Sequence, residues 1–164
     1  MNPPDLRVGM GHDTHRLEMG RPLVLGGVSI EFDHGLAGHS DADVLLHAII
    51  DALLGAAGMG DIGEAFPNTD AQFAGIDSAE LLKRTWEKVR AERWQVMNLD
   101  CTIHAQQPKL APYKPQIRQR LAELLGIDKA VINVKAKTGE QVGPIGRGES
   151  MDAAAVVLLW RENT

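Results

Sequence analysis

The 164-residue chain has a formal net charge of −5, which offers no electrostatic reason to bind nucleic acid or an anionic membrane. Its length suits a single globular domain, residues 1–164, and with aromatics at only 4% the core is expected to be mostly aliphatic. Cys101 stands alone, which excludes an intrachain disulfide. With no signal-like N-terminus and no apolar run of about 18 residues, the expectation is a soluble cytoplasmic protein.

Residues 6–14 read as a strand, with Leu6, Val8 and Met10 alternating against smaller or polar residues. At its end Asp13 and His15 share a face about 6.6 Å apart, while His12 points the other way. Residues 22–32 alternate around Gly26 and Gly27 as a strand or hairpin, and 33–38 read as a loop. A helix follows, with Ser40 or Asp41 as its expected N-cap, since Ser40 and Asp43 have capping-box spacing. It stops among Gly55, Gly58 and Gly60, where Gly58-Met59-Gly60 reads as a C-cap. Val44, Leu45, Leu46, Ala48, Ile49, Ile50, Ala52 and Leu53 cover its circumference, leaving one polar stripe of Asp43, His47 and Asp51. Such a helix is buried all round, and the stripe needs partners, because an unpaired buried polar group costs roughly several kcal/mol.

Residues 61–75 have no period and read as a long loop. A second helix is expected over 78–91, capped by Asp77 and Glu80, and a strand over 95–106 interrupted at Asn98-Leu99. After a proline-bracketed turn at 107–112 comes a third helix, 115–125, ending at Gly126. Strands at 130–136 and 151–160 flank the glycine-rich stretch 137–150. The expected fold is α+β: a two-layer sandwich of a mixed four- or five-stranded sheet with three helices on one face.

Asp13, His15 and His47 form a nitrogen and oxygen donor set that suits Zn²⁺ with an open fourth position. The same set describes the two-histidine, one-carboxylate triad of non-haem Fe(II) oxygenases. A chance Asp-x-His pair and a hydrogen-bonded core histidine account for it as well. His39 and Ser40, near a helix start, suit an anion held by free N–H groups, or simply a cap and a solvated histidine. Thr138 and Glu140 offer a hydroxyl and a second metal-binding carboxylate, or an ordinary polar loop. Arg147 with Glu149 is either a bidentate anion grip or a surface ion pair. No standard phosphate-loop sequence occurs.

In order along the chain stand DTH (13–15), HSDADV (39–44), HAIIDALLGA (47–56), GDIG (60–63), FPNTD (66–70), PKL (108–110), VKAKT (134–138) and GRGE (146–149). From about residue 6 to 160 this series resembles the 2-C-methyl-D-erythritol 2,4-cyclodiphosphate synthase family. The resemblance implies closure of 4-diphosphocytidyl-2-C-methyl-D-erythritol 2-phosphate to the cyclodiphosphate with release of CMP, in the non-mevalonate isoprenoid pathway. It implies Zn²⁺, one per subunit, on Asp13, His15 and His47, and Mg²⁺ or Mn²⁺ on Glu140. His39 and Thr138 take the place of transition-state stabilisers, with Ser40 beside the phosphate and Thr14 in the substrate site. Asp61, Ile62 and Gly63, with Phe66, Pro67, Asn68, Thr69 and Asp70, correspond to the segments that hold the erythritol and ribose hydroxyls. Ala105, Gln106, Gln107, Pro108, Lys109, Leu110 and Ala111 correspond to the cytosine pocket. Family members are homotrimers with sites between subunits, and the all-round apolar helix agrees with a subunit interface. Three departures stand out: Asn68 replaces an expected Asp, Lys137 and Gly139 flank Thr138 in place of threonines, and Pro144 replaces a frequent aromatic. With Arg147, that last position lines an axial cavity in relatives, and Pro144 argues against isoprenoid diphosphate binding there. Non-haem iron oxygenase and non-catalytic trimeric binding protein, the latter suggested by Arg147 and the glycine-rich turn, stand as the alternatives.

Overall fold

The computed structural model describes residues 5–67, 69–73 and 75–162. In chain order these form β1 (Asp5–Met19), β2 (Leu23–Leu25), β3 (Val28–Ile30), β4 (His34–Leu36), α1 (Val44–Ala57), a one-turn α2 (Ile62–Ala65), α3 (Ser78–Ala91), β5 (Gln95–His104), α4 (Lys114–Leu125), β6 (Ile132–Lys137), a one-turn α5 (Gly143–Gly146) and β7 (Ser150–Arg161). A five-stranded sheet has the order β4-β1-β7-β5-β6, with β2 and β3 as a separate hairpin. Only the β5–β6 pair is parallel. The sheet is mixed, as expected from sequence; α1 and α4 pack on it and α3 packs against both helices in one core, with short helices and 3₁₀ turns added to the predicted elements. The interruption near Asn98 is a bulge between Val96 and Asn98. Residues 33–38, expected as loop, contain the edge strand β4, too short at three residues to show a period.

The two faces of β1 invert ordinary amphipathicity. Leu6, Val8 and Met10 point outward at 52%, 69% and 69% exposure. Gly9 and Gly11 face the core, where the α1 backbone lies directly against them. A Cβ on Gly9 would meet Ala56 N at 2.6 Å, and one on Gly11 would meet Ala52 N at 2.8 Å, each also striking a helix carbonyl. Ala48, Ala52 and Ala56, one turn apart, supply the matching small stripe on α1. Strand residues two apart advance about 6.6 Å and helix residues four apart about 6 Å, so the two stripes stay nearly in step. Ala48 meets Gly11 and Ala56 meets Gly9, so α1 runs back along β1 with its N-terminus beside Asp13 and His15.

Two expectations about α1 are corrected. Its N-cap is Asp43, whose side chain accepts from Leu46 N, not Ser40 or Asp41. The Asp43 carboxylate is fully buried and also accepts from Gly26 N at 2.9 Å and Gly27 N at 2.7 Å, clamping the β2–β3 turn onto the helix end. That carboxylate already takes the Leu46 N–H, one of the free groups that a ligand anion at the helix start would use. Nor does the apolar circumference of α1 point to a subunit interface, because this chain's own β1, β7 and α3 cover it. The exposed apolar surface is instead the outer face of the sheet, around Leu6, Val8, Met10 and Val156. At the other end Gly58 adopts the left-handed C-cap, with φ of 71°.

Gly11→Ala is expected to destabilise the fold by at least about 1–3 kcal/mol through forced separation of α1 from β1. Gly55→Ala, where an added Cβ meets nothing within 4 Å, is expected to be neutral or stabilising by up to about 1 kcal/mol. Urea unfolding of both variants measures the contrast.

Candidate active site

Because α1 is registered on β1, His47 in its first turn reaches the side chains that follow Gly11 on the strand. Asp13 Oδ2 lies 2.9 Å from His15 Nε2 and 2.9 Å from His47 Nδ1, and the two nitrogens are 3.3 Å apart. His12 faces the opposite side, towards Asp152 at 3.8 Å. Three donors at tetrahedral positions around zinc, with bonds of about 2.0–2.1 Å, sit about 3.3 Å apart, so the set fits such an ion. Among the described residues these three are the cluster able to hold a metal. His15 Nδ1 donates to the Ala37 carbonyl oxygen at 2.7 Å, so the neutral ring keeps its lone pair on Nε2 for a metal, and the protonated ring donates from Nε2 to Asp13. Burial pushes the Asp13 carboxyl up, but the hydrogen bonds from His15 and His47 outweigh it and hold the group well below the usual carboxylate range. The same bond to Asp13 raises His15 above the ordinary histidine value.

The other members of the α1 stripe secure the surroundings. Asp51, one turn below His47, accepts from Ile62 N at 2.7 Å and so ties α2 to the site. Burial raises its carboxyl, and Asp43 is pushed up to about 6 by full burial against the pull of its backbone partners. Both satisfy backbone groups; neither contacts a metal donor.

Above the triad lies a cavity of ≈ 230 Å³ lined by Asp13, His15, Gly38, His39, Ser40, His47, Ile62, Gly63, Phe66, Phe73, Ile76 and Leu81. His39 is exposed at its edge, its carbonyl accepting from Gly75 N at 2.9 Å. Ser40 Oγ sits 3.3 Å from His47 Nε2. Thr14 N donates to Asp13 Oδ1 at 2.9 Å. Residues 61–67 and 69–73 hold more local structure than their sequence suggests. Asp61 caps α2 through Glu64 N, Asp70 accepts from Gln72 N, and Phe66 packs edge-on against Phe73 at 5.3 Å. Pro67 and Thr69 are exposed, and Asn68 lies outside the described residues.

A second cavity, ≈ 560 Å³, is lined by Phe32, Ala105, Gln106, Gln107, Pro108, Lys109, Leu110, Ala111, Ala136, Lys137 and Thr138. It shares no lining residue with the first. Thr138 Oγ1 donates to Glu140 Oε1 at 3.0 Å, and Glu140 takes the left-handed φ of 50° that few non-glycine residues adopt. A Cβ on Gly139 would collide with Gly146, so only glycine fits between Thr138 and Glu140. One carboxylate suits Mg²⁺, which is held by one or two carboxylates together with substrate phosphates. Arg147 lines neither cavity, and its guanidinium is paired with Glu149 at 2.7 and 3.2 Å, the surface-pair geometry. Cys101 is buried and its thiol pushed up to about 12 by that burial, so it is inert.

Sequence reasoning missed Ser78 and the part played by Asp41. Ser78 Oγ is 2.9 Å from His47 Nε2 and donates to Asp41 Oδ1. Asp41 reads as a possible N-cap and Ser78 as an ordinary first helical residue after the Asp77 cap, so neither carries a signal for the site.

A five-stranded α+β sheet carrying an aspartate and two histidines at a cavity floor has the donor set of a candidate metal-dependent enzyme site. The YgbB family model matches residues 6–160, and the chain belongs to that family. A 2-C-methyl-D-erythritol 2,4-cyclodiphosphate synthase of Neisseria gonorrhoeae is 55% identical over 157 residues, 96% of this chain and 98% of that protein. The bifunctional IspDF of Campylobacter jejuni superposes with a TM-score of 0.94 at 43% identity, covering 98% of this chain and 44% of that one. The CDP complex of Plasmodium falciparum IspF gives 0.86 at 32% identity over 99% and 100% of the two chains. Neither the iron oxygenase nor the non-catalytic binding protein finds support in these relatives.

In metal-free protein the charged Asp13–His15 pair stabilises the fold between the two shifted titrations. The raised His15 contributes stability that is complete below about 6.5 and lost as pH rises through its folded value. The lowered Asp13 contributes stability present above about 3.8 and lost as pH falls. Chelator-treated protein should therefore lose melting temperature as pH rises above about 6.5, whereas metal-loaded protein should not. Thermal melts with and without chelator across pH 5–9 (about) check this.

Proposed function

We propose that the chain converts 4-diphosphocytidyl-2-C-methyl-D-erythritol 2-phosphate to 2-C-methyl-D-erythritol 2,4-cyclodiphosphate and CMP, as its family relatives' names indicate. The observation that carries this reading is the convergence of Asp13, His15 and His47 at the floor of the first cavity. An oxygen of the substrate's 2-phosphate attacks the β-phosphorus, forming one P–O bond. The bond from the β-phosphorus to the bridging oxygen of CMP breaks, and CMP leaves with the electron pair. The protein need supply no nucleophile; its task is to fold a flexible polyanion in line and to balance charge.

Asp13, His15 and His47 would hold Zn²⁺ and Glu140 would hold Mg²⁺ or Mn²⁺, which when bound would supply Lewis acidity towards the diphosphate. His39 and Thr138 stabilise the developing charge, and Ser40 lies beside the phosphate. Asp61 to Gly63 and Phe66 to Asp70, including Asn68, hold the sugar hydroxyls. Ala105 to Ala111 holds the cytosine, with Lys109 beside it, Lys137 serving the α-phosphate, and Gly139 and Arg147 among the substrate-binding residues. A relative captured with CDP supports a cytidine diphosphate ligand.

The two halves occupy separate cavities in one chain, which supports sites completed between subunits of a homotrimer. The exposed apolar face of Leu6, Val8, Met10 and Val156 is the surface suited to bury in that assembly. Residues 1–164 act as one synthase domain in the cytoplasm. Among the described residues, no helix is long and apolar enough to cross a membrane.

Purified protein with zinc and magnesium should release CMP and give the cyclic product by phosphorus NMR. His47→Ala and Thr138→Ala should each lose activity, His47→Ala by more than about a hundredfold, since even partners of metal ligands are worth about 10- to 100-fold. Mixing the two inactive variants through subunit exchange should restore part of it. Metal-loaded wild type without CMP release contradicts the cyclase reading, and a mixture no better than its parts contradicts shared sites.

A further inference from the structure

We propose that Ser78, oriented by Asp41, is a positioning residue that fixes which nitrogen of His47 faces the metal; this rests on the metal reading of Asp13, His15 and His47. Ser78 begins α3 and is fully buried, so its hydroxyl has no water to turn to. Its Oγ donates to Asp41 Oδ1, and its backbone N–H donates to Asp41 Oδ2 at 3.2 Å. An ionised carboxylate only accepts, so the single hydroxyl proton of Ser78 is committed to Asp41 and its lone pairs are left for His47.

His47 Nε2 lies 2.9 Å from that oxygen. Two lone pairs cannot face each other there, so the contact places the proton on Nε2. The neutral ring then keeps its lone pair on Nδ1, free for a metal ion held jointly with Asp13 Oδ2, 2.9 Å away, and His15 Nε2, 3.3 Å away. The other tautomer would put a proton among the metal donors and leave Nε2 facing the lone pairs of Ser78. Ser40 Oγ is the weaker partner, 3.3 Å from Nε2 and already accepting from Ala42 N at 3.1 Å. His15 has the equivalent support from the Ala37 carbonyl, so both histidines are held in the metal-ready tautomer by groups behind them.

Zinc affinity, measured by competition with a chromophoric chelator, and the ¹⁵N histidine spectrum of the zinc-loaded protein test this in wild type, Ser78→Ala and Asp41→Asn. Wild type should show His47 protonated at Nε2 and coordinated through Nδ1. Both variants, with wild-type circular dichroism, should bind zinc roughly 10- to 100-fold more weakly. Coordination of wild-type His47 through Nε2 overturns the proposal by itself, whatever the folding of the variants. Folded variants with wild-type zinc affinity overturn it too while leaving the metal site standing. A wild type that binds no zinc overturns the metal reading and this inference together.

Discussion

The contact between the backbones of β1 and α1 is the constraint on which the rest depends. Gly9 and Gly11 on the strand and Ala48, Ala52 and Ala56 on the helix let the two elements approach closer than any larger pair would allow. Near-equal repeats on strand and helix keep them in register over several turns. The candidate metal donors follow from this contact: Asp13 and His15 extend the glycine face of β1, and His47, next to Ala48, lies at the N-terminal end of α1. Packing and chemistry share one geometric origin.

A buried helix with a polar stripe needs a partner for every polar group, and here each partner also holds a wall of the site. Asp43 clamps the β2–β3 turn, Asp51 anchors α2, and His47 joins β1 to the start of α3 through Ser78. The loops around the cavity are thus tied to one rigid helix. That suits a reaction in which the protein contributes position and charge balance and the substrate contributes its own nucleophile.

Much of this was legible in the sequence, though unevenly. The long helices and most strands follow from period and caps, and the shared face of Asp13 and His15 follows from strand geometry. A reading by hydrophobic alternation, however, singles out Leu6, Val8 and Met10, which the structure exposes, and passes over the glycines that make the core contact. The Ser40 cap was misjudged because Asp43 competes with it and wins by also serving two N–H groups from a distant hairpin turn. Proximity of His47 to Asp13 was not derivable from spacing, since it depends on the direction in which α1 lies along β1. The apolar circumference of α1 suggested a subunit contact, yet its own chain covers it and the uncovered surface is the outer sheet. Ser78 was hidden because, behind the Asp77 cap, a serine in the first helical turn has no signature of its own.

The account turns on whether Asp13, His15 and His47 hold a metal together. X-ray absorption spectroscopy of purified, zinc-reconstituted protein reads that first shell directly. It should show close to one zinc per chain, with only nitrogen and oxygen neighbours at about 2.0–2.1 Å and two of them imidazoles. A sulfur neighbour at about 2.3 Å, or a spectrum unchanged in His47→Ala, would contradict it.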